Sequence, residues 1–181
     1  MVSLRSFVTG AVALMATPVV SALTATDITN TLDKVTRELG FLLEPAHSIS
    51  PANAQTQIDA ITVQIYQVTT EITTFASNLE RTPAMTSPDS GEVVLAAFRE
   101  FSLVNQKLLN TLNVISTKEV AAFLPPLLSV LLEEQTVVIS LAGQLTRVVE
   151  PKVAELQAQA KPMMTAFTIT ITQIQTVVSS A

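Results

Sequence analysis

Apolar residues recur at alternating steps of three and four over most of the chain, which is the spacing of one face of an α-helix. The most regular run extends from Ile58 to Leu79, and the opposite face of that run is polar. Together with four further runs of the same spacing, it predicts five amphipathic helices. The four further runs cover Ile28–Leu42, Val94–Ile115, Thr117–Val148 and Val153–Val178.

Capping residues and prolines mark where these helices begin. Thr24 or Thr26 can accept a free N–H of the first helix, and the Ser-Pro pairs at Ser50–Pro51 and Ser87–Pro88 are typical helix starts. Glu150–Pro151 breaks the chain before the last helix. Because the connections are short, the predicted fold is an all-α, antiparallel five-helix bundle with an apolar central cavity or tunnel.

The stretch Val120–Leu132, VAAFLPPLLSVLL, is apolar on nearly every side. A helix of this kind must be wrapped by other elements, so it is expected either to be a buried core helix or to line a cavity for an apolar ligand. Pro125 and Pro126 predict that the helix is kinked or locally opened in its middle. The adjacent Glu133 and Glu134 are expected to mark where solvent begins.

The last segment has two possible interpretations. Phe167–Thr172, FTITIT, alternates with period two and on its own indicates a strand. The three-and-four spacing continues from Val153 to Val178, however, and a lone strand would leave backbone groups unpaired. We therefore predict a helix, bent at Pro162.

Residues 1–22 resemble a secretory signal peptide, with Arg5, the apolar run Phe7–Met15 and the small residues Val20-Ser21-Ala22. We expect residues 23–181 to form one helical-bundle domain. The net charge is −5 and no basic cluster is present, which argues against nucleic acid as a partner. No uninterrupted apolar run after residue 22 reaches 18 residues, so no transmembrane segment is predicted.

The chain offers little catalytic chemistry. It has no cysteine, 4 glycines and one histidine, His47, so we expect no zinc site, no phosphate-binding loop, no cofactor and no enzymatic activity. Tyr66 falls on a polar face, either as a surface aromatic or as a contact to a partner. Met163 and Met164 lie beside Phe167, either filling the core or forming a pliable wall against a lipid tail.

The signal segment, the Thr-rich amphipathic helices and the Pro-containing fourth helix resemble the fungal hydrophobic surface-binding protein A family, which includes cell-wall galactomannoprotein antigens. The resemblance covers residues 23–178 and implies a secreted or wall-associated five-helix bundle. It also implies two activities. Some members bind long-chain fatty acids inside the bundle, and others adsorb to hydrophobic surfaces and help recruit esterases.

Our leading hypothesis is a secreted or cell-wall carrier that sequesters a long-chain fatty acid such as palmitate or arachidonate. Alternatives are an adsorber to hydrophobic surfaces and a structural wall antigen, with hydrophobic surfaces or cell-wall glycans as partners. The expected ligand walls are Ile65, Ile72, Phe98, Phe101, Phe123, Leu128, Leu132, Met163, Phe167 and Ile171.

Overall fold

The structure is a computed structural model and describes residues 22–181, so nearly all of the predicted signal segment lies outside the described residues. The described chain is helical and contains no strand, which confirms the predicted all-α class. Five of the helices are long, and the short one between the first two was not predicted. The helices are α1 (Ala25–Gly40), α2 (Leu43–His47), α3 (Ala54–Glu80), α4 (Pro88–Ile115), α5 (Leu124–Val148) and α6 (Val153–Ser179).

The five long helices form a ring around one core. In order, α1 packs on α4, α4 on α6, α6 on α5 and α5 on α3, and α3 closes the ring with a lighter contact to α1. Consecutive long helices alternate in direction, as predicted. The ring nevertheless places helices of the same direction side by side: α1, α4 and α6 run one way, and α3 and α5 run the other.

Two of the three predicted helix starts are confirmed. Thr24 caps α1 in a reciprocal arrangement with Asp27, whose N–H donates to Thr24 Oγ1 at 3.1 Å. α4 begins at Pro88, directly after Ser87. The start of α3 at Ser50–Pro51 is wrong, because the side-chain oxygen of Asn53 accepts the Ser50 N–H at 2.7 Å and closes a turn there.

The prediction of a kink or a local opening at Pro125 and Pro126 is wrong, because the α-helix only begins just before them. A 3-10 segment, Lys118–Phe123, ends just before them, and both prolines lie in the first turn of α5. A proline is tolerated there because the first N–H groups of a helix have no intrahelical partner in any case. Both prolines are exposed, so the stretch Val120–Leu132 is covered by other helices on one side only.

The last segment is one helix, α6, from Val153 to Ser179, and this confirms the helical interpretation of Phe167–Thr172. Its buried stripe keeps the three-and-four spacing, for example at Phe167, Thr170 and Ile174. The tertiary environment therefore decides the conformation, because α4 and α5 both cover this stripe. Pro162 lies inside the helix.

One segment of the described chain, Lys118–Val148, is long and apolar enough to cross a membrane by length and composition alone, with a mean hydropathy of 1.4 over its best window. The sequence prediction required an uninterrupted apolar run and therefore missed it. The core helix of a soluble protein satisfies the same criterion. In the structure this segment packs against α3 and α6.

Many exposed threonines bond within their own helix. The hydroxyl of Thr70 donates to the carbonyl of Tyr66 at 2.9 Å, and that of Thr136 donates to the carbonyl of Leu132 at 3.0 Å. Thr168 repeats the pattern on α6. We refer to these as the back-bonded threonines. Such hydroxyls have an acceptor without help from water or from another helix.

Candidate functional site

Most of the predicted ligand-wall residues lie together in one interior. They come from three helices of the ring and belong to a single buried apolar cluster. The rings of Phe98 and Phe101 stack there with their centroids 6.0 Å apart. Whether a ligand contacts these side chains stays a prediction. The buried members are Ile65 and Ile72 on α3, Phe98 and Phe101 on α4, and Met163, Phe167 and Ile171 on α6.

The three predicted wall residues from the fourth apolar run lie elsewhere. Phe123 and Leu128 are half-buried and pack against the edge of the core. Leu132 is 41% exposed, so the structure places it outside the interior. The reason is that α5 has neighbours only on its α3 and α6 sides, and Leu132 points about 100° away from its buried neighbour Leu131.

Glu134 does not mark the solvent boundary, as the sequence suggested, but lies in the core with 1% of its surface exposed. Its Oε1 accepts a hydrogen bond of 3.1 Å from Nδ2 of Asn105 on α4, which is also 1% exposed. Helices α4 and α5 are not neighbours in the ring. The Asn105–Glu134 pair therefore reaches across the interior.

Burial raises the pKa of Glu134 to about 7, because a carboxylate is poorly solvated among apolar side chains. The hydrogen bond from Asn105 acts in the opposite direction and lowers that pKa, but to a smaller extent. At neutral pH this carboxyl group therefore exists in both forms. In its neutral form it carries an O–H donor inside a mostly apolar core.

Among the described residues, buried polar atoms without a hydrogen-bond partner include one on Asn105 and one on α3. Asn105 Oδ1 is buried and unpaired, and so is the Oγ1 of Thr69 on α3. Thr69 is 1% exposed. Buried polar atoms are normally satisfied, so the unpaired oxygen of Asn105 beside an ionisable group calls for an explanation.

The sequence contained a signal for both members of the pair. Asn105 stands between Phe101 and Leu108 at steps of four and three, which is a core position. Glu134 likewise stands between Leu131 and Val138 at steps of three and four. A polar residue at a position of the buried stripe is therefore the signal that could have identified Asn105 and Glu134 as core residues.

The contact between α1 and α3, here called the α1–α3 seam, holds two clefts that open to solvent. One has a volume of about 180 Å³ and is bordered by Glu38, Phe41 and Val68, and the other has about 430 Å³. Glu71 borders both clefts, and its Oε2 lies 2.7 Å from Nζ of Lys34. One ion pair thus bridges the seam between the two clefts. The central cavity expected from the sequence stays a prediction.

The remaining candidate residues have ordinary surroundings. Tyr66 is 56% exposed on α3. Met163 is fully buried, while Met164 is half-buried against the core. His47 is exposed, and its Nδ1 lies 2.6 Å from the carbonyl oxygen of Leu43. Over residues 22–181, no group of three or more His, Asp or Glu side chains is placed to hold a metal ion.

No family model matches this chain, and no curated protein matches it at a significant level. Two solved structures share its fold. The crystal structure of AFMP4P in complex with palmitic acid superposes with a TM-score of 0.68 at 16% identity, covering 83% of this chain and 99% of that one. Ligand binding domain 1 of the Penicillium marneffei MP1 protein, complexed with arachidonic acids, superposes with a TM-score of 0.53 at 14% identity, covering 81% and 98%.

Proposed function

We propose that the protein is a secreted, non-enzymatic carrier that encloses a long-chain fatty acid, such as palmitate or arachidonate, between its long helices. One observation carries this proposal. Two proteins that share the fold are known as complexes with palmitic and arachidonic acid. The interior of this chain is chemically suitable, since it consists almost entirely of buried aliphatic and aromatic side chains.

The burial of the tail supplies enough free energy for useful binding. About 14 methylenes of palmitate, at roughly 0.8 kcal/mol each, give about 11 kcal/mol of gross stabilisation. Association and ordering cost on the order of 4 to 15 kcal/mol. With the smallest of these costs about 7 kcal/mol remains, so we expect binding in the micromolar range.

The α1–α3 seam is the proposed route by which the fatty acid enters. It is the lightest contact of the ring, and its two clefts already separate parts of α1 and α3. The Lys34–Glu71 ion pair between the clefts is solvent-exposed and can break at little cost. Tilting of α1 and α3 away from each other would expose the core without disturbing the closer contacts of the other four sides.

Secretion, or retention in the cell wall, is proposed from the signal-like residues 1–22. Membership of the galactomannoprotein group is proposed from the sequence resemblance, and the shared fold supports it. The narrower assignment to the hydrophobic surface-binding protein A family rests on the sequence resemblance alone.

The test is lipid extraction of the purified protein, followed by mass spectrometry and by calorimetric titration of the delipidated protein with palmitate. We expect a bound fatty acid in the extract and a saturable, micromolar titration. An extract without lipid, together with a flat titration for both palmitate and arachidonate, would reject the carrier function.

Adsorption to hydrophobic surfaces is the second candidate, and exposed apolar side chains favour it. Leu132 and Ile139 are 41% and 54% exposed and lie seven residues apart on one face of α5. Val63 on α3 is 56% exposed. Depletion of the protein from solution by alkyl-coated beads tests this role, and the L132S/I139S variant should be depleted less. Equal depletion of the variant and the parent would remove this patch from consideration.

A further inference from the structure

The core of the bundle holds one polar pair in its middle, Asn105 on α4 and Glu134 on α5. The two side chains come from helices that are not neighbours in the ring, and both are 1% exposed. A ligand lying along the axis of the bundle would therefore meet this pair. Among the buried polar side chains of the described residues, Glu134 is the one that can ionise, and Asn105 bonds to it.

The position of the pair along the helices suits the length of a fatty acid. Glu134 lies about 15 Å from the start of α5 and about 21 Å from its end, at 1.5 Å per residue. An extended chain of 16 carbons is about 19 Å long, since each tetrahedral C–C bond advances it by roughly 1.25 Å. A tail that starts at the pair would thus fill the longer half of the bundle and stop near its end. The start of α4, the start of α6 and the end of α3 lie at that end.

The hydrogen-bonding capacity of the pair is only partly used. Asn105 Nδ2 donates one of its two N–H groups to Glu134 Oε1, and Asn105 Oδ1 has no partner. When Glu134 is neutral, its O–H is a further donor. The second N–H of Asn105 and this O–H are two donors, the number that the two oxygens of a carboxylate can accept from.

We propose that Asn105 and Glu134 bind the carboxyl head group of the fatty acid, with an N–H of Asn105 and the O–H of Glu134 donating to its two oxygens. This assignment rests on the proposed fatty-acid carrier function. The bound state then holds one proton and one negative charge shared between two carboxyl groups. A protonated side-chain carboxyl that acts as a hydrogen-bond donor in an apolar site is well known in enzymes.

The surroundings of Glu134 make the affinity for the fatty acid depend on whether this side chain is protonated. Burial raises its pKa to about 7, and the shift has no contribution from a charged neighbour. Ionisable side chains on the helices around it all reach solvent. They are Asp59, Tyr66, Glu71 and Glu80 on α3, Asp89, Glu92, Arg99, Glu100 and Lys107 on α4, Glu133 and Arg147 on α5, and Glu155 and Lys161 on α6. With no cation nearby, loss of the Glu134 proton would leave two carboxylates facing each other, so the affinity should fall above pH 7.

A double variant separates binding from folding. N105L/E134M replaces both polar groups by apolar ones of similar size, which is expected to leave the bundle as stable or more stable. The same variant should bind palmitate about tenfold more weakly at pH 6, because its carboxyl group loses both donors. It should bind the methyl ester of palmitate as well as the parent does. A merely structural role of the pair would move stability and both affinities together.

Asn113 provides the matched control. It lies on α4 two turns after Asn105, and its Oδ1 is also buried without a partner, but it borders a surface cleft with Thr168 and Gln173 of α6. N113L should change palmitate affinity by less than about twofold, since it removes an amide that is far from the pair. If N113L weakens palmitate binding and N105L/E134M does not, the head group lies at that surface cleft and our assignment is overturned.

Glu134→Gln tests the shared proton, because it keeps the shape and the hydrogen bond but cannot ionise. The affinity of the parent protein should fall about tenfold between pH 6 and pH 8, while that of E134Q changes by less than about twofold. In parallel, the carbon-13 signal of carboxyl-labelled palmitate should titrate near pH 7 in the parent protein and not in E134Q. Identical pH profiles for the two proteins would overturn the proposal.

The failure of the assignment and the failure of the carrier function give different results. A parent protein that binds neither palmitate nor its methyl ester lacks the carrier function. A parent protein that binds both with equal affinity at pH 6 and pH 8 is a carrier whose head-group site is not the Asn105–Glu134 pair. Circular dichroism and thermal melts of each variant establish that a weakened titration does not come from misfolding.

Discussion

Helix α3 has two very different sides. Towards α5 it makes the most extensive helix–helix contact in the described chain, and residues such as Ile61 and Ile65 on α3 and Leu131 on α5 are buried. Towards α1 it makes a light contact, interrupted by two open clefts and bridged by the exposed Lys34–Glu71 pair. The same helix thus belongs both to the most firmly packed contact of the ring and to its weakest.

This difference shows how a closed bundle can admit a large apolar ligand without unfolding. Opening at the α3–α5 contact would expose buried aliphatic side chains to water, at about 25 cal/mol for each Å². Opening at the α1–α3 seam separates a smaller contact and breaks an exposed ion pair, which is worth little in water. The seam should therefore open far more often than the other sides of the ring.

A covalent bridge across the seam should have the largest effect. Because the chain has no cysteine, the K34C/E71C variant can be joined selectively by a short bis-maleimide linker. Uptake of palmitate by the delipidated, bridged protein should slow by about 100-fold or more, since opening is blocked. Stopped-flow fluorescence with a labelled fatty acid measures the rate.

A bridge on the other side of α3 is the control for that experiment. Val63 on α3 and Ser129 on α5 border one surface cleft, so V63C/S129C can be joined in the same way. Its uptake rate should stay within about threefold of the rate of the unbridged protein, because this side is not expected to move. Equal slowing by both bridges would show that the seam is not the entrance.

Among the stability predictions, truncation of a buried side chain on α5 should lower the free energy of unfolding the most. Leu131 is fully buried on α5, so Leu131→Ala should lower the free energy of unfolding by about 2 to 5 kcal/mol. Thr74→Ala, in a cleft of the α1–α3 seam, should stay within about 0.5 kcal/mol. Urea denaturation followed by circular dichroism measures both. A larger loss for T74A than for L131A would reverse the comparison between the two sides.

The buried Asn105–Glu134 pair should make the free energy of unfolding depend on pH. The pKa of Glu134 is about 7 in the folded protein against 4.5 ordinarily, so between these values the folded state keeps a proton that the unfolded chain has released. The free energy of unfolding should therefore fall, by on the order of 3 kcal/mol in total, as the pH rises from about 4.5 to about 7.

Glu134→Gln is the control for this pH dependence, because the amide cannot release a proton. Its unfolding free energy should stay nearly constant over the same pH window. Asp27 and Glu92 act in the opposite direction, because hydrogen bonds from Thr24 and from Lys152 lower the pKa of these two carboxyl groups. A decline of equal size in E134Q would assign the effect to other groups.

Loss of the seam ion pair should have the smallest effect. Glu71→Gln removes the charge that faces Lys34 and should speed palmitate uptake by about two- to fivefold at low salt. The difference from the parent protein should shrink at high ionic strength, where the exposed pair is already screened. Stopped-flow uptake at two salt concentrations measures this difference. A slower rate in E71Q would contradict the proposal that the ion pair holds the seam closed.

The sequence predicted the parts of the fold that depend on a regular apolar stripe. Phe98, Phe101 and Phe167 were correctly assigned to inward faces, and α6 was correctly predicted as a helix, because burial at steps of three and four outweighs a local strand preference. The start of α3 could not be predicted, since it depends on the side-chain hydrogen bonds of Asn53.

Features that depend on which helices become neighbours were also beyond the sequence. An apolar stretch such as Val120–Leu132 carries no signal of how many helices will cover it, and in the ring α5 keeps an exposed side that includes Leu132. The partner of Glu134 was hidden for the same reason, because Asn105 lies 29 residues away on a helix that does not neighbour α5 in the ring.

The back-bonded threonines affect how the outer faces of the helices respond to a change of solvent. Each of these hydroxyls already has an acceptor in the preceding turn, as for Thr70, Thr136 and Thr168. Covering such a face with wax, oil or a lipid layer breaks no hydrogen bond between protein groups, and the desolvation penalty of each hydroxyl is correspondingly small. The exterior of this bundle is therefore compatible with an oil–water boundary as well as with bulk water.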